Sequence, residues 1–171
     1  MPTCPRCAAL ALVLLALAFT GCDSNNPGRD LSLIEGVYLL EELEFRPVSA
    51  LPPADVDAGI NVAESRFEIF GDDEESQFVV RFNDGTTSRI DLRTTASRGR
   101  ATFEAADVED TDKLKLLLLP RSFTLTYQGD SPRVLEGSID RTGVDLEAFD
   151  PSLYQREVDK SGTTVIRFRR R

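Results

Sequence analysis

The sequence contains no histidine and no tryptophan, and only three cysteines and one methionine. Without histidine there is no Ser-His-Asp or Cys-His catalysis, no His-ligated zinc, and no use of the commonest general base near neutral pH. We therefore expect no enzyme. Lysine is scarce too: Lys113, Lys115 and Lys160 are the only ones, and every other basic residue is arginine. The 29 acidic residues outweigh the 20 basic ones, for a formal charge of −9. Such a surface repels phosphate backbones, which argues against a nucleic-acid partner. The longest uncharged apolar run, Ala8 to Phe19, falls short of the roughly 20 residues that a membrane-spanning helix needs.

That run suits the apolar region of an export signal, with Arg6 and the amino terminus supplying positive charge ahead of it. Phe19-Thr20-Gly21-Cys22 follows and resembles the lipobox of bacterial lipoproteins. The resemblance implies a signal peptide over 1–21, cleavage after Gly21, diacylglycerol on the Cys22 thiol, and acylation of the new amino terminus. The protein would then be held to a membrane by lipid, facing the periplasm or the cell surface. Two or more acyl chains anchor durably, because each buried CH2 contributes about 0.8 kcal/mol. An ordinary cleaved signal with a chance cysteine is the alternative. Cys4-Pro5-Arg6-Cys7 matches a C-x-x-C redox pattern but lies in the segment to be discarded. Cys22 is then the one cysteine retained and its thiol is consumed, leaving no disulfide and no thiol chemistry.

Asp23 to Asp30 is polar, contains Pro27 and Gly28, and shows no apolar periodicity. It reads as part of a flexible tether over 22–30, ahead of a single domain over 31–171. Within the domain the dominant period is two. Val37, Leu39, Leu43 and Phe45 share a face interrupted by Glu41, and Phe67 and Ile69 oppose Arg66 and Glu68. Phe78, Val80 and Phe82, then Ile90 and Leu92, then Ala101 and Phe103 continue the alternation. Phe123, Leu125 and Tyr127, then Leu135 and Ile139, then Ile166 and Phe168 complete it. Each is the pattern of a half-buried antiparallel strand. Asn83-Asp84-Gly85 is a strong hairpin signal, and Gln128 to Pro132 and Asp159 to Gly162 are turn-like. Arg46 to Gly59 and Asp140 to Asp159 break the rhythm, with helical turns expected at Pro53–Asp57 and Ser152–Arg156. Leu116 to Leu119 is apolar on both faces and reads as a fully buried or bulged strand.

These segments predict an all-β fold: an antiparallel up-and-down barrel of about eight to ten short strands, with one or two helical turns in loops. A sandwich is the alternative. Gly36-Val37-Tyr38-Leu39-Leu40 resembles the first strand of lipocalin-like domains, with Tyr38 standing where the family's Gly-x-Trp motif has tryptophan. Leu117-Leu118-Leu119-Pro120-Arg121, leading into the Phe123–Tyr127 strand, is similar to lipocalin-like lipoproteins of uncharacterised role. The resemblance implies a barrel with a cavity for a small apolar ligand and carries no catalytic residues.

Asp72-Asp73-Glu74-Glu75 and Asp107 to Asp112 read as solvated acidic loops, and Asp55-x-Asp57-x-Gly59 lacks the later ligands of a calcium loop. We expect no metal and no cofactor. Glu41, on the apolar face of its strand, is a candidate polar group in a ligand cavity together with Tyr38. A strand end, a bulge or a buried pair with an arginine is the other reading of Glu41, and the favoured one. The basic cluster Arg167, Arg169, Arg170 and Arg171 reads as an outward face pairing with carboxylates, or as a contact to anionic lipid. The expectation is a monomeric, membrane-anchored, non-catalytic protein that binds a small apolar ligand inside its barrel. The alternative is an envelope interaction protein with a filled barrel and no ligand.

Overall fold

The computed structural model describes residues 27–71, 75–97 and 99–171. Gly21 and Cys22 lie outside the described residues, as do Asp72, Asp73 and Glu74. In chain order the elements are α1 (Pro27–Ile34), β1 (Gly36–Pro47), β2 (Ala54–Asp55), a 3-10 turn (Asp57–Gly59), β3 (Arg66–Ile69), β4 (Glu75–Arg81) and β5 (Thr87–Ser97). Then come β6 (Arg100–Ala105), α2 (Val108–Leu116), β7 (Ser122–Thr126), β8 (Val134–Val144), α3 (Leu146–Phe149) and β9 (Lys160–Arg170).

The strands pair as antiparallel neighbours from β3 to β9, and β1 pairs with both β3 and β9. That double pairing closes an eight-stranded up-and-down barrel, as the alternation predicts, and rules out a sandwich. Closure also leaves the barrel strands no free edge. The two-residue β2 is an annex beside the far half of β1, pairing Glu44 with Asp55. Asn83-Asp84-Gly85 forms the β4–β5 turn: Gly85 takes a φ of 89°, and the Asp84 carboxylate accepts from the Thr86 N–H and hydroxyl.

Both ends of the barrel are covered. At the end where β1 begins, α1 buries Leu31 and Ile34, and the Tyr38 hydroxyl donates to the Ile34 carbonyl at 2.9 Å. The helix starts at Pro27, so the ordered fold reaches back into the stretch that reads as tether. At the other end, α2 replaces the expected acidic loop. Asp107 caps it by accepting from the Asp110 N–H, and Lys113 pairs with Glu109 and Asp110. Leu114, Leu117, Leu118 and Leu119 are all buried. Leu116 to Leu119 is therefore not a strand but a helix terminus and a tight turn. Leu118 sits there at a φ of 54°, and its carbonyl accepts from the inward Thr164 hydroxyl. The β8–β9 connection adds Leu146 and Tyr154, whose hydroxyl donates to the Pro53 carbonyl at 2.7 Å. The helical turn of that connection falls at Leu146–Phe149 rather than at Ser152–Arg156.

Candidate functional site

The inward set expected from the alternation is Leu39, Phe67, Phe78, Val80, Ile90, Phe103, Leu125 and Ile166. All but Leu39 are fully buried. Phe67 lies at the centre, with ring centroids 4.6 Å from Phe103, 5.1 Å from Phe168 and 5.8 Å from Phe78. Phe103 in turn stands 5.5 Å from Phe123. These rings come from five different strands, so they meet across the barrel rather than along one wall. Phenylalanine rings thus meet in the middle of the barrel. Inward polar groups are satisfied locally: Ser76 and Thr94 hydrogen-bond to each other at 2.6 Å.

Tyr38 is inside, but as part of the end closure. Its ring is fully buried, its hydroxyl holds α1, and the Arg170 guanidinium lies 5.8 Å from the ring centroid. Burial pushes its phenol up from the ordinary value, Arg170 lowers it, and Tyr127 adds a further upward push.

Glu41 is not in the interior, so it lines no cavity; the other reading of its place on the apolar face, a bulge and an arginine pair, is the one the strand adopts. Pairing of β1 with β9 shifts register between Leu40 and Glu42, which is a β-bulge. One extra residue inverts the inward phase. Tyr38 and Leu40 point in before the bulge, Leu43 and Phe45 after it, and Leu39 and Glu41 fall outside. Glu41 pairs there with Arg169 and, at 3.4 Å, with Arg167. Of the basic cluster, Arg170 instead donates to the Glu35 carbonyl and the Ser131 hydroxyl.

The outward Leu39 belongs to a groove of about 570 Å³ on the outer face of β1, β3, β4 and β5. Register places its walls. Leu39 stands opposite Arg66, Arg66 opposite Val79, and Val79 opposite Arg89. Arginine and aliphatic side chains thus alternate across neighbouring strands. Arg81 and Arg171 line the same groove, with Glu64 on its rim. Val79 is only 4% exposed although it faces away from the core. Arg66 pairs with Glu68, and Arg81 lies 3.6 Å from Glu64 and donates to the Thr87 hydroxyl. Arg89 and Arg171 form no ion pair among the described residues. Alternation along β3, β4 and β5 places Arg66, Arg81 and Arg89 outward, and the register between these strands gathers them.

No family model matches the chain, and no curated protein matches it. Among solved structures it is similar to a lipocalin-like protein from Bacteroides uniformis, at 11% identity over 81% of this chain and 99% of that one, with a TM-score of 0.43. An uncharacterized protein from Bacteroides eggerthii is similar at 8% identity over 80% of this chain and 98% of that one, with a TM-score of 0.38. The closed strand order of this chain, rather than either likeness, defines its barrel.

Proposed function

We propose that this chain is a lipid-anchored, non-catalytic envelope protein that works through its outer surface, its barrel interior serving as a packed core. The observation that supports this reading is the phenylalanine cluster around Phe67, whose rings meet across the barrel. Ring centroids 4.6–5.8 Å apart are at contact distance, and protein interiors packed this way have little free space. The anchor rests on Phe19-Thr20-Gly21-Cys22, and the absence of catalysis on the missing histidine. A surface role also suits a protein held at one point, with the rest of the barrel wall left free for a partner.

The test is ligand protection. The full chain is titrated with a long-chain fatty acid, a retinoid and a quinone while amide exchange of the barrel strands is followed. No saturable slowing is expected. One-to-one protection of β3, β4 and β9 by any of the three would overturn the surface reading in favour of a carrier.

A further inference from the structure

We propose that the outer groove over β1, β3, β4 and β5 binds an oxyanion, phosphate or carboxylate, attached to a short apolar body. This deepens the surface reading and rests on it. Three features of the groove converge on that chemistry.

The first is uncompensated positive charge on an acidic protein. On β1 and β9 three arginines are met by carboxylates: Arg167 and Arg169 by Glu41, and Arg46 by Glu42 and Glu44. In the groove four guanidinium groups, Arg66, Arg81, Arg89 and Arg171, share one concave volume with two carboxylates, Glu64 in the lining and Glu68 beside Arg66. Pairing takes up Arg66 and loosely holds Arg81, which leaves Arg89 and Arg171.

Arrangement is the second feature. Arg66 and Arg89 flank Val79 in register on the two neighbouring strands. Two strand spacings separate them, about 9.5 Å at the backbone. Long flexible side chains from both sides can close that span onto one oxyanion, and the guanidinium fork matches phosphate or carboxylate in bidentate fashion.

The third is the floor. Leu39 and Val79 are aliphatic at outward positions, and Val79 is 4% exposed. Arginine stems lying along such a floor keep their charged heads at the rim. A ligand with an anionic head and a few carbons satisfies both parts at once. A bare ion leaves the floor unused. The groove, at about 570 Å³, lies within the size range of small-molecule sites.

The experiment uses the full chain held in phosphatidylcholine nanodiscs, with n-butyl phosphate and inorganic phosphate as probes followed by calorimetry. Butyl phosphate is expected to bind saturably and about tenfold more tightly than inorganic phosphate, since a few methylenes on an apolar floor contribute on the order of a kcal/mol. The double variant Arg66→Gln/Arg89→Gln should weaken butyl phosphate by about tenfold or more, as expected for lost charge-assisted hydrogen bonds. Val79→Thr should erase most of the preference for butyl over inorganic phosphate. Arg133→Gln, outside the groove, should change neither. No saturable binding, or equal loss in Arg133→Gln and the double variant, would overturn the proposal by reducing it to bulk attraction. Glycerol phosphate competition and co-sedimentation with phosphatidylglycerol vesicles separate a soluble phosphate ester from a lipid headgroup. Either source supports the site, and failure of both sinks it. An apolar ligand found inside the barrel would overturn the surface reading while leaving the Arg66 and Arg89 result to stand or fall separately.

Discussion

Phe67 on β3 and Phe168 on β9 stack with ring centroids 5.1 Å apart and ring planes 28° from parallel, although 101 positions separate them in the chain. Between their strands runs β1, paired to both. The contact therefore exists only because the barrel closes. Deleting either ring opens a void at the centre of the core. Phe67→Ala is expected to cost about 3–5 kcal/mol, in the range of large-to-small core changes. Denaturant unfolding measures it, and a loss under about 1 kcal/mol would show that the interior is not packed as described.

Gly162 on β9 has no room for a side chain. A Cβ there would lie 2.4 Å from the Arg46 carbonyl oxygen and 2.5 Å from the Phe45 ring. Gly162→Ala should destabilise by about 1–3 kcal/mol, because backbone as well as a buried ring must shift. Gly59 faces open space, with nothing within 4 Å of a built Cβ. Gly59→Ala should leave stability unchanged or raise it by about 0.4–1 kcal/mol through the unfolded chain. Equal melting shifts for the two variants would contradict this placement of β9 against β1.

The pH dependence of stability should carry a signature of Asp57. Burial, then the neighbouring Asp55 carboxyl, raises the Asp57 pKa above the usual carboxylate value, while the Leu43 N–H donating to it at 3.0 Å pulls the other way. The folded protein then holds this proton more tightly than the unfolded chain. Its contribution falls as pH rises from the unfolded pKa, about 3.9, through the higher folded one. At neutral pH the ionised Asp57 carboxylate is less favourable in the folded protein than in the unfolded chain. Asp57→Asn keeps an acceptor for Leu43 and removes the charge. The variant should melt higher than wild type at pH 7, and the gap should narrow toward pH 3. A gap that widens on acidification would reverse the assigned sign.

The anchor is tested at Cys22. Cys22→Ser should release the protein from membrane fractions and abolish fatty-acid labelling. A variant that still sediments with membranes at high salt would remove the lipoprotein reading.

Much of this architecture lies in local alternation. A period of two is a property of neighbouring residues, so Phe67, Phe78, Phe103, Leu125 and Ile166 could be assigned inward one strand at a time. Asn83-Asp84-Gly85 identified its turn for the same reason: the backbone preference of glycine is local. α2 also left a local trace, since Asp107 stands three residues before Asp110 at a capping spacing. It was hidden because its helical span holds few apolar residues, so its cap and ion pairs need packing against β5 and β6 beside them.

What only the tertiary structure decided is phase, closure and fill. The bulge at Leu40–Glu42 inverts the face of every β1 residue before it; Glu41 on the apolar face hints at an irregularity, but only the pairing with β9 places the bulge and sets the phase. That one inversion puts Leu39 and Glu41 on the outer wall and keeps Tyr38 inside. Whether eight strands enclose a pocket or a core depends on side-chain volumes summed over residues a hundred positions apart. The gathering of Arg66, Arg81, Arg89 and Arg171 over Val79 likewise follows from register between strands. Alternation sets which side of a strand each residue takes, but hydrogen bonds between strands choose its neighbours.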